Sequence, residues 1–154
     1  MPEPADTYEN LGADFRWEIP ERYNIAADVC DRWALTEPDR TALLVLGPDD
    51  RPETVSYGRL RSDSLRLAAA LAARGVEPGD RVAVLLPQSA AVVITHFAAY
   101  RLGAIALPLA GLFGEAALLH RLADSGARAI VNDAAGLAKL ERLRAELPDL
   151  VTIL

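Results

Sequence analysis

Cysteine is almost absent from these 154 residues, where Cys30 stands alone. One thiol closes no internal disulfide and builds no thiolate zinc site. The chain therefore fits a reducing compartment, the cytoplasm, and Cys30 fits the role of a small buried hydrophobe. No stretch reaches the about 18 uninterrupted apolar residues of a membrane span. Even AAVVITHFAAY, at 90 to 100, is too short and carries Thr95 and His96. The opening MPEPADTYEN is acidic and lacks the basic-then-apolar layout of a secretory signal. Positive charge is scarce as well: 16 Lys and Arg against 22 Asp and Glu leave a net charge of −6. That balance argues against a nucleic-acid partner, which asks for a clustered basic surface. The one basic cluster, Arg59, Arg61 and Arg66, reads as a solvated helix face. There are only two histidines, His96 and His120, and both fall in helical patterns with no carboxylate or cysteine at metal-ligand spacing. Neither G-x-G-x-x-G nor G-x-x-x-x-G-K-[ST] occurs, so the dinucleotide and P-loop signatures are both missing.

What is present is ordinary globular composition, 51% hydrophobic and 25% charged, at a length suited to one domain. Residues 1 to 20 read as a loosely structured lead-in closed by FRWEIP, and 21 to 154 as one α/β unit. Asn24 caps a helix over 25 to 35. TALLVL (41 to 46) and ETVSY (53 to 57) flank the turn-rich GPDDRP and predict a hairpin. Ser56 caps a helix from 57 to 74 in which Leu60, Ser64, Leu67, Ala68 and Leu71 share one side. Gly75 stops that helix, Pro78-Gly79 turns the chain, and RVAVLL (81 to 86) follows with no polar face. A strand dry on both faces belongs inside a parallel sheet covered by helices on each side.

The unit then repeats. Ser89 caps a helix to 102, Gly103 precedes AIALPL, a helix over 115 to 125 stops at Gly126 before ARAIVN, and a helix over 136 to 146 leads through Pro148 to LVTIL. The pattern predicts an α/β fold: a layered, mostly parallel sheet with helices on both faces and right-handed crossovers, plus an N-terminal β-hairpin.

In such sheets ligands bind beyond the carboxyl ends of the strands. Those ends are Pro87-Gln88-Ser89, Pro108-Leu109-Ala110-Gly111 and Asn132-Asp133, and none carries a catalytic set. The loop AGLFGEAALL opens a helix, and Gly111 and Gly114 allow close approach of the backbone. A phosphate at that helix start would meet Glu115. The loop therefore reads as a turn, or as a contact for a flat, uncharged group such as an adenine ring. Asp133 lacks the acidic and lysine partners of a phospho-acceptor.

Together, PDRTALLVLG, VSYGRLRSDSLRLAAALAARGVEPGDRVAVLLPQSA and YRLGAIALPLAGLFGEAALLHRLADSGARAIVND resemble the N-terminal part of adenylate-forming (AMP-binding) acyl-CoA synthetases. FRWEIPERYNIAADVCDRWA is similar to the branch acting on acetate, medium-chain and aromatic acids. The resemblance implies the large N-terminal domain of such an enzyme, with ATP, Mg2+ and coenzyme A as cofactors and a carboxylic acid as substrate. It also implies that the phosphate loop, adenylate-contacting motif, hinge and catalytic lysine lie beyond Leu154. On that reading the α/β unit is incomplete, carries no catalytic residue, is inactive alone, and self-associates through an exposed sheet edge. For coenzyme A the resemblance points to Gly111, in a loop that meets the adenine end, and to Lys139, near a basic pair that meets the 3′-phosphate. A structural turn and a solvated lysine are the alternative for those two residues. For the whole chain the alternative is a stand-alone α/β binding or assembly domain derived from such an enzyme.

Overall fold

A computed structural model describes residues 16–47 and 51–154. Most of the predicted lead-in and the centre of GPDDRP lie outside the described residues. Asn24 is the cap its position predicts, its Oδ1 accepting from the Ala26 and Ala27 N–H groups at 3.0 and 3.3 Å. The helix beyond it, α1, is a widened π turn over Ala27–Asp31 that tightens to α geometry over Arg32–Thr36.

Strands β1 (Thr41–Leu46) and β2 (Pro52–Ser56) pair antiparallel, with Thr41 opposite Ser56 and Leu46 opposite Pro52. Tyr57, where the strand ETVSY and the predicted helix meet, opens helix α2 (Tyr57–Ala72) as the Ser56 cap predicts, the Ser56 hydroxyl accepting from the Arg59 N–H at 3.2 Å. The predicted stripe is the buried one: Leu60, Ser64, Ala68 and Leu71 face inward. The basic cluster on the same helix is paired rather than free. Arg59 and Arg66 both bridge to Asp63, and Arg61 turns to Asp31.

The second sheet has four parallel strands in the order β4, β3, β5, β6, where β3 is Arg81–Leu85, β4 Ile105–Pro108, β5 Ala129–Asn132 and β6 Thr152–Ile153. Helices α3 (Ala90–Arg101), α4 (Glu115–Ser125) and α5 (Ala134–Leu143) connect them, α5 continuing as a 3₁₀ turn over Arg144–Glu146. Val82 to Leu85 of β3 are at most 3% exposed, which is the doubly covered strand that the unbroken aliphatic run predicts.

Alternation splits its side chains between two cores. Ala83 and Leu85 pack with Ile130, Leu118, Leu122 and Leu140 on one face. On the other, Val82 packs with Ala129, Ala68, Leu71, Ala98 and Ala99, where small alanines let α2 and α3 come close to the sheet. The hairpin lies over a third cluster built on Cys30, Val55 and Leu60.

The Arg81 of the G-D-R turn has a specific task. Its Nε donates to the Ser125 carbonyl at 2.5 Å and its guanidinium to that of Gly126 at 2.6 Å, closing the end of α4. Gly126 reverses the chain there at φ +58°, the left-handed conformation its place after the helix predicts.

Two expectations are corrected. Ser89 holds the position before α3, but its hydroxyl donates to the Pro87 carbonyl at 3.0 Å and makes no cap bond. Helix α5 begins at Ala134, two residues before the predicted start, because Asp133 Oδ1 accepts from the Gly136 N–H at 2.7 Å. No helix among the described residues is long and apolar enough to cross a membrane.

Candidate functional site

With all four strands parallel, the loops that follow β3, β4 and β5 gather on one edge of the sheet. A cavity of about 100 Å³ opens there between Leu85, Pro87, Gly111, Asp133, Gly136 and Lys139. Small-molecule clefts usually run to about 300–1,000 Å³. This one is a shallow seat, too small to enclose such a ligand.

The two residues picked from sequence for coenzyme A meet at this seat. Lys139 Nζ donates to the Gly111 carbonyl at 2.7 Å and to the Phe113 carbonyl at 3.0 Å. Lys139 is therefore not the freely solvated lysine of the alternative reading: its ammonium ties α5 to the β4–α4 loop. Gly111 is exposed, and a Cβ built on it meets nothing within 4 Å. Its backbone is outside the left-handed region, so the turn itself does not demand glycine. What glycine leaves is open approach to the main chain. Gly136 is the opposite case, because a Cβ there would lie 3.0 Å from Asn132 Cβ and 3.1 Å from a Leu85 methyl. Glycine at that position lets α5 start hard against the strand ends.

The charges around the seat are mixed. Asp133 caps α5 with one oxygen. Glu115 stands at the first turn of α4 and accepts from Arg142 Nε at 2.7 Å, which holds the carboxylate at the helix start. An anion at that terminus would face Glu115, as its sequence position predicts. Phe113 closes the loop from below, packed against the core and under the Arg121 guanidinium, 4.3 Å from its ring centroid.

Asp133 and Gly136 are the parts of the seat that sequence reasoning did not assign to it. The helix-capping spacing of Asp133 and Gly136 was the available signal. The histidines stay outside. His96 Nδ1 lies 3.2 Å from the Tyr100 hydroxyl, and burial lowers its pKa. His120 is on the exposed side of α4. Cys30 is fully buried and burial raises its thiol pKa, which suits a packing role and not a nucleophile.

A buried ion pair escaped sequence reasoning altogether. Arg101 at the end of α3 donates to both oxygens of Asp31, at 2.8 and 2.6 Å, and through Nε to the Ser64 hydroxyl at 3.0 Å. Those bonds hold the Asp31 carboxyl below the usual carboxylate range. The pair joins α1, α2 and α3 and lies away from the seat.

Comparison with known proteins gives one answer. A family model described as AMP-binding enzyme matches residues 30–154. Acetyl-coenzyme A synthetase 1 of Candida albicans is 34% identical over 130 residues, covering 84% of this chain and 19% of that protein. The acetyl-coenzyme A synthetase of Halorhodospira halophila is 30% identical over 142 residues, covering 86% of this chain and 22% of its own length. Among solved structures, a Brucella canis acyl-CoA synthetase superposes with a TM-score of 0.83 at 31% identity, over 96% of this chain and 28% of that one. The anthranilate CoA ligase AuaEII, solved with anthranoyl-AMP, gives 0.73 at 30% identity, over 88% of this chain and 25% of that one. The chain thus spans about a fifth of the length of these curated relatives. Matched by the family model from Cys30 to Leu154, the chain belongs to the AMP-binding enzyme family.

Proposed function

We propose that these residues work as the N-terminal part of an AMP-forming acid–thiol ligase. In that reaction a carboxylate attacks the α-phosphate of ATP, giving an acyl-adenylate and pyrophosphate. The thiol of coenzyme A then attacks the acyl carbon, and AMP leaves with the electrons of the broken C–O bond. The observation that carries the reading is the superposition of 96% of the chain on an acyl-CoA synthetase at 31% identity. The names of the acetyl-coenzyme A synthetase relatives point the same way.

Within this scheme the chain's own contribution is the loop at Gly111. Open space over the exposed Gly111 backbone fits the nucleotide end of coenzyme A, with a flat base laid beside the main chain. The residues do not fit the triphosphate of ATP, because the helix start that could take an anion holds Glu115. Among the described residues no three His, Cys, Asp or Glu side chains converge as ligands, and we assign magnesium to no residue of this part. No step of the scheme is assigned to this part of the protein through either group. We assign it a part in positioning the nucleotide end of coenzyme A, with no catalytic residue. Its single buried cysteine suits the reducing cytoplasm.

The test is carboxylate-dependent pyrophosphate exchange, run on the 154-residue chain and on the reading frame extended past Leu154, with short, medium-chain and aromatic acids. Exchange is expected only in the extended protein. Exchange by the 154 residues alone would overturn the assignment of catalysis to other residues. Absence of exchange in the extended protein across all acids would overturn the ligase reading.

A further inference from the structure

Two carbonyls of one short loop turn toward one ammonium. Lys139 reaches across from α5 and takes Gly111 and Phe113 as acceptors, at 2.7 and 3.0 Å. A lysine has three N–H donors, and these are charge-assisted bonds, the stronger kind. The consequence for the loop follows from peptide geometry. In a trans peptide the C=O and the next N–H point in opposite directions, and no cis bond occurs among the described residues. Drawing the Gly111 and Phe113 carbonyls toward Lys139 therefore turns the Leu112 and Gly114 N–H groups away from it, to the side where Leu112 is 98% exposed. Neither N–H has an acceptor among the described residues. The Phe113 N–H is already used, donating to Ala110 at 3.0 Å. A loop held in this way presents its free donors in a fixed direction.

We propose that Lys139 is a positioning residue for the nucleotide end of coenzyme A, acting through the backbone of the 110–114 loop and not on the ligand's 3′-phosphate. The proposal rests on the reading of this loop as the coenzyme A contact. It reassigns Lys139 from the ligand-facing role that its place near the family's basic pair implies. A lysine already engaged by two carbonyls shapes the surface that the base meets. Its removal frees the loop, so the loss falls on every ligand that uses the loop, with or without the 3′-phosphate.

The experiment uses the extended enzyme with Lys139→Met and Lys139→Arg. Two measurements are made: amide hydrogen exchange of the 110–114 loop, and KM in the thioester-forming step for coenzyme A, 3′-dephospho-coenzyme A and pantetheine. In Lys139→Met the Phe113 amide, the loop N–H bonded to Ala110, should exchange faster, and the KM for both nucleotides should rise together by about tenfold, the scale for losing one strong hydrogen bond's net effect. Pantetheine, which has no nucleotide, should keep its KM. Lys139→Arg retains charge and donors and should restore most of both effects. A rise for coenzyme A without one for the dephospho form would make Lys139 a phosphate ligand and overturn the proposal. Unchanged exchange of the Phe113 amide in Lys139→Met would remove the latch itself. Faster exchange with no change for any thiol would leave the latch standing and defeat the coenzyme A reading beneath it.

Discussion

Replacing Arg101 with methionine tests the ion pair that joins the first three helices. The side chain of Arg101 is 8% exposed and that of Asp31 20%. Methionine fills much of the same space, so the change isolates the loss of the guanidinium. Removing one partner of a buried pair costs roughly 3–5 kcal/mol, because the other charge stays behind without compensation. Asp31 retains some solvent and has Arg61 Nε at 3.4 Å, so the lower end, about 3 kcal/mol, is the expected loss. For a domain of this length that is a fall in Tm of roughly 6–12 °C.

The pH dependence has a definite sign. The Asp31 pKa is lowered in the folded state, chiefly by hydrogen bonds from Arg101. Its contribution is therefore complete above the ordinary carboxylate range and fades as pH falls through that range toward the depressed folded value. Wild type and Arg101→Met should converge in stability as the solution is acidified across that window. Urea denaturation of wild type, Arg101→Met, Asp31→Asn and the double variant supplies the numbers. A coupling energy near zero, or a gap that widens on acidification, would refute the reasoning.

Gly111→Asp should raise the KM for coenzyme A, with the damage falling on thioester formation and not on pyrophosphate exchange; equal damage to both half-reactions would indicate misfolding and remove the assignment. Since a Cβ at Gly111 meets nothing within 4 Å, circular dichroism of that variant should match wild type. Gly126→Ala should destabilise by about 1–2 kcal/mol in calorimetry, the cost of a side chain in the left-handed region. Its Cβ would also sit 2.7 Å from the Arg81 guanidinium, so a neutral result would count against the Arg81 closure of α4. The isolated 154 residues should self-associate in light scattering, because β6 has only β5 beside it and Ile105, on the opposite edge strand, is 55% exposed. A monodisperse monomer over a wide concentration range would refute that.

The fold was legible wherever one local rule acted without competition. The unbroken run RVAVLL could only be a strand covered on both faces, and it is. Glycine after α4 and serine before α2 marked their ends through side-chain and backbone chemistry that reaches no further than three residues. The misreadings have the same short range. Ser89 occupies a capping position, yet Pro87 offers its hydroxyl an acceptor two residues away. Asp133 caps α5 three residues ahead of the Gly136 N–H, so the helix begins before its expected start. The π turn in α1 could not be anticipated, and the Asp31–Arg101 pair spans seventy residues that no periodicity connects.

The seat at Gly111 sits between these cases. Each residue there is locally unremarked: a glycine in a turn, a lysine on a helix 28 positions later. Topology supplies the link, since parallel strands joined through helices deliver every strand-to-helix loop to the same edge. The order of elements could therefore say that Gly111 and Lys139 share an edge, but not what they do to each other. Reading Lys139 by its charge favours a phosphate partner. The geometry redirects that charge to two backbone carbonyls, where it fixes the orientation of a loop. The carbonyls within reach of Lys139 follow from how closely α5 packs at Gly136 against Leu85 and Asn132. A larger residue at Gly136 would push the start of α5 off the strand ends, lengthen both lysine bonds and carry the effect to Gly111 without touching it.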